Sequence, residues 1–339
     1  MIDFSTWPQN KFRSYGGANG KKQCRTQDGV PYMVKIFEPS SKAKPMSAFS
    51  EYISCHIYEM LDIPVQETIL GCFQGPDKVP YMAVACKDFC GKNDILREFS
   101  EVRNSIISSS DDGTNKRLVP ILISLQEQDN IPVPEFLGRF WDMVVVDAFI
   151  GNFDRHTGNF GIISNESEQR QMLAPVYDCG SALYPGADDS TIKKILSSEQ
   201  EQFARIYEFP ASTYRDENDQ KIKYLDLLTS DKYPECQEAL KRIQPRIDME
   251  RISQFIYGID ELSPIRKEFY CTMLALRKER LIDFAYEKAM AVQQTATVNS
   301  QSELTEVHRR EQFLLESTVF QNDCDDRYAQ LYRKAYHDM

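Results

Sequence analysis

The segment that most constrains the fold of this chain lies near its middle. An apolar run over residues 143–149 opens into Ile150-Gly151-Asn152-Phe153-Asp154-Arg155-His156-Thr157-Gly158-Asn159-Phe160-Gly161, and the strand-like Gly161-Ile162-Ile163 follows. Residues 134–149 have the length and apolar content of a buried helix, so a rigid support delivers Asp154 and Asn159 into an irregular loop closed by a strand. Loops held on rigid supports are where chemistry tends to sit. A second strand-like run, Ala174-Pro175-Val176-Tyr177, carries Asp178-Cys179-Gly180. Taken alone, an aspartate and an asparagine five positions apart are compatible with several kinds of metal chemistry.

The N-terminal part narrows the choice. Ser14-Tyr15-Gly16-Gly17-Ala18-Asn19-Gly20-Lys21-Lys22 supplies the backbone N–H groups and positive charge that a phosphate cradle requires. Asn-Gly is also a strong hairpin signal, so this loop decides nothing by itself. Residues 30–37 read as a strand with Lys35 set among apolar neighbours, where an amine is costly without a charged partner. Residues 47–62 predict a helix with Phe49, Ile53, Ile57, Met60 and Leu61 near one face and with Ser47 and Ser50-Glu51 as start signals. Glu51 then falls in the first turn, either as a favourable charge at a helix N-terminus or as the partner of Lys35. Glu59 is the rival partner, and Glu51 is preferred because Glu59 lies towards the C-terminal end.

Runs at 65–72 and 79–86 predict paired strands around Gln74-Gly75-Pro76-Asp77. The expected fold class is α+β and two-lobed: residues 1–88 form a small β-rich N-lobe with one helix, and residues 89–339 form a larger, mainly helical C-lobe. Helices are expected over 95–109, 118–126, 134–149, 199–207, 233–242, 248–257 and 262–291. A polar turn is expected over 164–170 and an irregular segment over 181–190. A polar linker near 293–302 precedes an amphipathic segment over 303–336, expected to pack on the large lobe. In this arrangement residues 85–88 are the junction whose backbone groups would bind an adenine, which nominates Ala85 and Lys87.

Composition excludes several classes. A net charge of -11 is the wrong sign for a default nucleic-acid or anionic-membrane binder. No apolar run is long enough to span a bilayer, and no basic region followed by an apolar stretch marks the N-terminus. Nine cysteines lack paired C-x-x-C spacing and read as free thiols of a reducing compartment, so a cytoplasmic location is expected, without excluding export that needs no cleavable signal. With four histidines in the chain and no second one near His156, a histidine-rich metal hydrolase is a poor fit.

A glycine-rich loop, a strand lysine, a helix glutamate, D-x-x-x-x-N and D-x-G occur here in the order and spacing used for phosphoryl transfer by protein kinases. Asp154 would orient the acceptor hydroxyl and take its proton, Asn159 and Asp178 would hold Mg²⁺, and Lys35, fixed by Glu51, would bind phosphates. His156 is expected to fix the loop around the carboxylates. Arg155 is open to a reading as a solvated loop residue.

Asp154-Arg155-His156-Thr157-Gly158-Asn159 is a D-x-H-x-x-N loop and resembles that of the HipA-like serine/threonine kinases; its D-R-H form is also similar to phosphatidylinositol 3-kinase-like enzymes. With the loop at 16–22, Tyr32 to Lys35, Ser50-Glu51-Tyr52 and the stretch from Tyr177 to Leu183, the sequence most resembles the compact CtkA-like branch of the HipA-like group. The resemblance runs from about residue 14 to residue 183. It implies a two-lobed kinase fold, ATP and Mg²⁺ as cofactors, and transfer to Ser or Thr of a protein substrate. It also implies autophosphorylation, with Ser14 at the position of the serine that HipA phosphorylates, although Gly16-Gly17-Ala18-Asn19-Gly20 differs from the HipA loop. The chain begins close to that loop, without HipA's extra N-terminal subdomain, so no direct nucleic-acid partner is expected. No membrane partner is expected either, and the chain is expected to be a monomer or weak oligomer. A lipid or small-molecule kinase of related fold and a non-catalytic nucleotide-binding regulatory or toxin module are the alternatives.

Overall fold

The structure is a computed structural model that describes residues 1–10, 21–38, 46–75, 78–106 and 116–291. Met1–Glu287 form one compact unit, and Lys288–Met339 form a second, of which only residues 288–291 are described. The segment over 303–336 therefore lies outside the described residues.

The N-terminal elements are β1 (Ile2–Asp3), β2 (Lys21–Gln27), β3 (Val30–Ile36), α1 (Ser47–Met60), β4 (Thr68–Gln74) and β5 (Pro80–Lys87). Their strands make one sheet in the order β1-β4-β5-β3-β2, antiparallel except for β1, which runs parallel to β4. Alternation along the strands sorts the side chains to two faces. Val34, Ile36, Ala83 and Ala85 pack on one face against Phe4 and Trp7. Met33, Val84 and Cys86 lie on the other with Ala48 and Tyr52 of α1. Lys35 pairs with Val84 in register, so its side chain leaves the sheet on the α1 side.

β6 (Ile95–Glu98), α2 (Phe99–Ile106), α3 (Leu118–Glu127) and α4 (Val133–Ile150) come next, followed by β7 (Gly161–Asn165) and β8 (Arg170–Leu173). The remaining helices are α5 (Asp189–Leu196), α6 (Glu199–Phe203), α7 (Tyr224–Leu228), α8 (Pro234–Ile243), α9 (Met249–Tyr257) and α10 (Pro264–Arg277). The mixed architecture is the expected α+β class. α4 is enclosed most completely at its C-terminal end, where every residue from Met143 to Ile150 is buried and all but Asp147 are apolar. Its buried residues join Phe49, Ile53, Ile57 and Tyr58 of α1 and Phe269, Tyr270 and Met273 of α10 in one large core.

Several expected elements are displaced. Residues 95–109 are not one helix: Ile95–Glu98 pair antiparallel with β7, Ile95 opposite Ser164, and the helix starts only at Phe99. Pairing with a distant strand overrides the local helical pattern. The strand before Asp178 lies at Arg170–Leu173 rather than at 174–177, because Pro175 has no N–H for a ladder. Val176 makes only an isolated parallel bridge to Val65. Residues 189–196 are helical, with Asp188 accepting from the Thr191 N–H at 2.8 Å, a capping signal within the segment read as irregular. The helix expected over 199–207 is α-helical only to Phe203 and continues as a π-helical turn, Ala204–Glu208. The expected 262–291 helix begins at Pro264 and passes into another π-helical turn, Lys278–Asp283.

β1 is only two residues long, but close approach fixes it. A Cβ on Gly71 would collide with the Ile2 carbonyl and lie 2.6 Å from the Phe4 ring. Gly71→Val should therefore expel β1 and loosen Phe4 and Trp7 from the sheet, destabilising the protein by about 1–3 kcal/mol. Urea unfolding followed by tryptophan emission measures this; an unchanged midpoint would show that β1 contributes nothing to the sheet.

Candidate active site

The site is built on the C-terminal end of α4. There the helix stops at Gly151, whose N–H returns to the Asp147 carbonyl. Asp147 itself is an anion in the last turn, the end of a helix at which negative charge is unfavourable, and it is buried. Its carboxylate is compensated from four directions. Oδ1 accepts from the Tyr58 hydroxyl at 2.9 Å and the Asn152 amide at 3.0 Å, and Arg155 donates through Nε to Oδ2 at 2.9 Å and through Nη2 to Oδ1 at 3.3 Å. Burial alone would lower the Arg155 pKa, but Asp147 outweighs it and holds the guanidinium well above its ordinary value.

Arg155 is only 1% exposed, which corrects its reading as a solvated residue. Its Nη1 donates to the Asn159 carbonyl at 2.9 Å and also to the Tyr177 carbonyl, while Nη2 reaches Cys179 Sγ at 3.2 Å. One planar fork therefore fastens the loop at Asn159 to the segment on both sides of Asp178. The Asn159 amide nitrogen donates to the Asp154 carbonyl at 2.7 Å, which fixes the amide orientation and directs Oδ1 away from that contact. His156 Nδ1 accepts from the Gly158 N–H at 3.1 Å, so this ring shapes the turn between Asp154 and Asn159. Tyr177 closes the same turn by donating its hydroxyl to the Gly158 carbonyl at 3.1 Å.

Lys35 meets this assembly from the sheet. Its Nζ donates to Glu51 Oε2 at 3.0 Å and to Asp178 Oδ1 at 2.8 Å. Burial would depress the Lys35 pKa, but Asp178 and Glu51 together hold it well above the ordinary lysine value, so the amine stays charged. Glu51 is the fifth residue of α1, beyond the first turn, and is buried, whereas Glu59 is exposed. Position on the helix face selects the partner, not the helix terminus. Gly180 matters through close approach, since a Cβ there would stand 3.1 Å from Glu51 Oε2. Asp178 has φ 58, a left-handed conformation that aspartate tolerates better than most residues. The second Glu51 oxygen, Oε1, is buried with no partner among the described residues.

Asp154 lies half-buried beside this group. Burial raises its pKa above the usual carboxylate range, and the opposing positive influence of His156 and Lys116 only partly cancels that rise. Its backbone N–H donates to Asn152 Oδ1 at 3.2 Å.

Of the other residues nominated from sequence, Ser14, Gly16, Gly17, Ala18, Asn19 and Gly20 lie outside the described residues, and Lys21 opens β2 opposite Ile36. Ala85 and Lys87 are not brought to the Lys35 group. Ala85 is in the middle of the sheet, paired with Val34 and Ile69, and its methyl faces the Phe4 side. Lys87 donates its backbone N–H to Glu67 and accepts at its carbonyl from Gln66 Nε2 at 3.0 Å, and its ammonium binds Glu67. The residues that sequence reasoning missed are Asp147, Asn152 and Tyr224, whose hydroxyl donates to the Asn152 carbonyl. Asp147 had a readable signal: a lone carboxylate in Val144-Val145-Val146-Asp147-Ala148-Phe149 demands a buried cation.

Comparison with known proteins adds identity to this geometry. The family model described as HipA-like C-terminal domain matches residues 13–244. The serine/threonine-protein kinase CtkA of Helicobacter pylori strain J99 is 41% identical over 293 residues, covering 85% of this chain and 89% of CtkA. The crystal structure of a Helicobacter pylori proinflammatory kinase CtkA superposes with a TM-score of 0.81 at 40% identity, over 86% of this chain and 99% of that chain.

Removing one partner of a buried ion pair leaves an uncompensated charge, so Asp147→Ala should destabilise the protein by about 3–5 kcal/mol in denaturant unfolding. Asp147→Leu combined with Arg155→Met should recover much of that loss. A single variant as stable as the unaltered chain would remove the pair from its structural role.

Proposed function

Because this chain belongs to the family of HipA-like C-terminal domains, we propose that it is a serine/threonine protein kinase that uses ATP and Mg²⁺ and phosphorylates itself as well as other proteins. The observation that carries this reading is the convergence of Lys35, Glu51 and Asp178 from three separate elements, with Arg155 holding Asn159 in the same assembly. The strand-rich part over residues 1–88 then contributes the phosphate-binding lysine, and the helical part from residue 89 contributes the proton-accepting and metal-binding groups.

Lys35 serves as a permanent cation for nucleotide phosphates. Of its N–H donors one goes to Glu51 and one to Asp178, which fixes the amine in space before any ligand arrives. The donor set of Asn159 and Asp178 suits Mg²⁺, which keeps few protein ligands and takes others from phosphate and water. When bound, the ion would neutralise charge on the transferring phosphoryl group. Asp154 orients the acceptor hydroxyl and receives its proton as the new O–P bond forms, while the bridging P–O bond breaks and ADP leaves with the electron pair. His156 and Arg155 position the loop rather than move protons.

Self-phosphorylation is placed at Ser14 as the first candidate. The described cysteines are free thiols and no described helix is long and apolar enough to cross a membrane; both suit work in a reducing, aqueous compartment. With a net charge of -11, the partners are taken to be proteins and not nucleic acid.

Incubation with labelled ATP and Mg²⁺, followed by intact mass and site mapping, tests the reading. Asp154→Asn should reduce turnover by about 10²–10⁴-fold while the folded spectrum is retained; equal labelling by both proteins would remove Asp154 from its role. The pH profile offers a separate check. Asp154 must be ionised to accept a proton and its pKa is raised, so kcat/KM should fall with decreasing pH at values above the usual carboxylate pKa of about 3.9. Lys116→Met removes a cation that lowers the Asp154 pKa, so the acid limb should move to higher pH. A limb that stays in place would take Lys116 out of the account.

A further inference from the structure

A cavity of about 370 Å³ starts at Lys35, Glu51 and Asp178 and reaches a wall formed by Phe153, Arg205 and Phe209. Phe153 immediately precedes Asp154, and its ring rests on that of Phe209 at a centroid distance of 5.4 Å. Phe209, the extended residue that follows the π-helical turn, is nevertheless 43% exposed. The exposed Phe209 ring, packed on the residue that precedes a proposed catalytic aspartate, forms an apolar shelf open to a partner.

The shelf carries positive charge. Lys194 holds one oxygen of Glu201 at 2.5 Å, while Arg205 Nη2 is 3.9 Å from the other. Two cations thus share one carboxylate at the rim, in a chain that is acidic as a whole. Arg205 Nε is buried and has no partner among the described residues. The backbone beneath it is fixed, because the Arg205 carbonyl accepts from the Tyr184 hydroxyl at 2.9 Å and from Arg277 Nη1 at 2.8 Å. Arg205 also sits in the π-helical turn, a distortion found disproportionately at functional sites. A rigid base, an open aromatic face and an under-compensated guanidinium suit a peptide with an apolar side chain and a nearby carboxylate.

We propose that this wall is the acceptor subsite, and that it selects serine or threonine residues flanked by a large apolar side chain with an acidic residue beyond it. The proposal rests on the protein-kinase reading above. Phe209 and Phe153 would take the apolar neighbour and so hold the acceptor hydroxyl towards Asp154, and Arg205 would take the carboxylate.

The test uses the full chain, MgATP and synthetic peptides with a single serine. One peptide has leucine beside the serine and aspartate beyond it; a second replaces the leucine with alanine, a third replaces the aspartate with lysine, and each is made in both chain directions. In at least one direction the leucine–aspartate peptide should exceed the other two in kcat/KM by about tenfold or more. Phe209→Ala should bring the leucine-to-alanine ratio close to one, Phe209→Leu should restore it, and Arg205→Glu should invert the aspartate-to-lysine preference. Ratios measured within one enzyme preparation are insensitive to a folding defect that lowers the active fraction. A wild-type protein that labels itself but treats the three peptides alike, or variants that keep the wild-type ratios, overturn the subsite while the kinase reading stands. Label that appears on inositol lipid vesicles and on no protein or peptide overturns both, as does a protein that transfers no phosphate at all.

Discussion

The buried pair of Asp147 and Arg155 is the interaction on which the rest of the site depends. Both side chains are nearly inaccessible, and desolvating two charges is expensive unless geometry and hydrogen bonds are well satisfied. Here they are: the carboxylate also receives Tyr58 and Asn152, and the guanidinium also serves two carbonyls and a sulfur. The pair therefore contributes position more than stability. It converts the end of one apolar helix into a fixed reference for a loop and for a second segment more than twenty residues later.

Lys35 completes the arrangement by the same logic with the charges reversed. A cation leaves the sheet on the α1 side, is buried, and requires two anions, one from α1 and one from the segment that Arg155 holds. The sheet, α1 and the Asp178 segment are thereby tied through a single ammonium group. Phosphoryl transfer asks a protein mainly for positioned charge, and a network of buried ion pairs is a means of positioning charge without help from solvent.

Much of this was legible in the sequence, because the functional groups themselves are few and ordered. Lys35 stood out as an amine in an apolar strand, and Asp154, Asn159 and Asp178 stood out by spacing. The α+β class followed from strand-like runs early in the chain and helical periods after them. Arg155 was the least legible: a guanidinium beside an aspartate in a polar loop looks solvated, and only the tertiary fold shows that Asp147 reaches it from the preceding helix. β6 was lost for a related reason, since Ile95–Glu98 owe their strand conformation to β7, which lies far downstream. Ala85 and Lys87 were nominated by place in the chain alone; Ala85 is paired in the ladder, and the Lys87 N–H and carbonyl meet Glu67 and Gln66. The glycine-rich loop lies outside the described residues.

The contact between Lys35 and Asp178 joins positions 143 residues apart. During synthesis from the N-terminus, β2 to β5 leave the ribosome long before Asp178 does, and Lys35 then has only Glu51 to offset its burial. The Lys35 charge on the α1 side of the sheet is left incompletely compensated until Asp178 has been made. A chain that stops short of Asp178 therefore lacks one of the two anions that offset the burial of Lys35, and the ion-pair network that joins the sheet, α1 and the Asp178 segment cannot close.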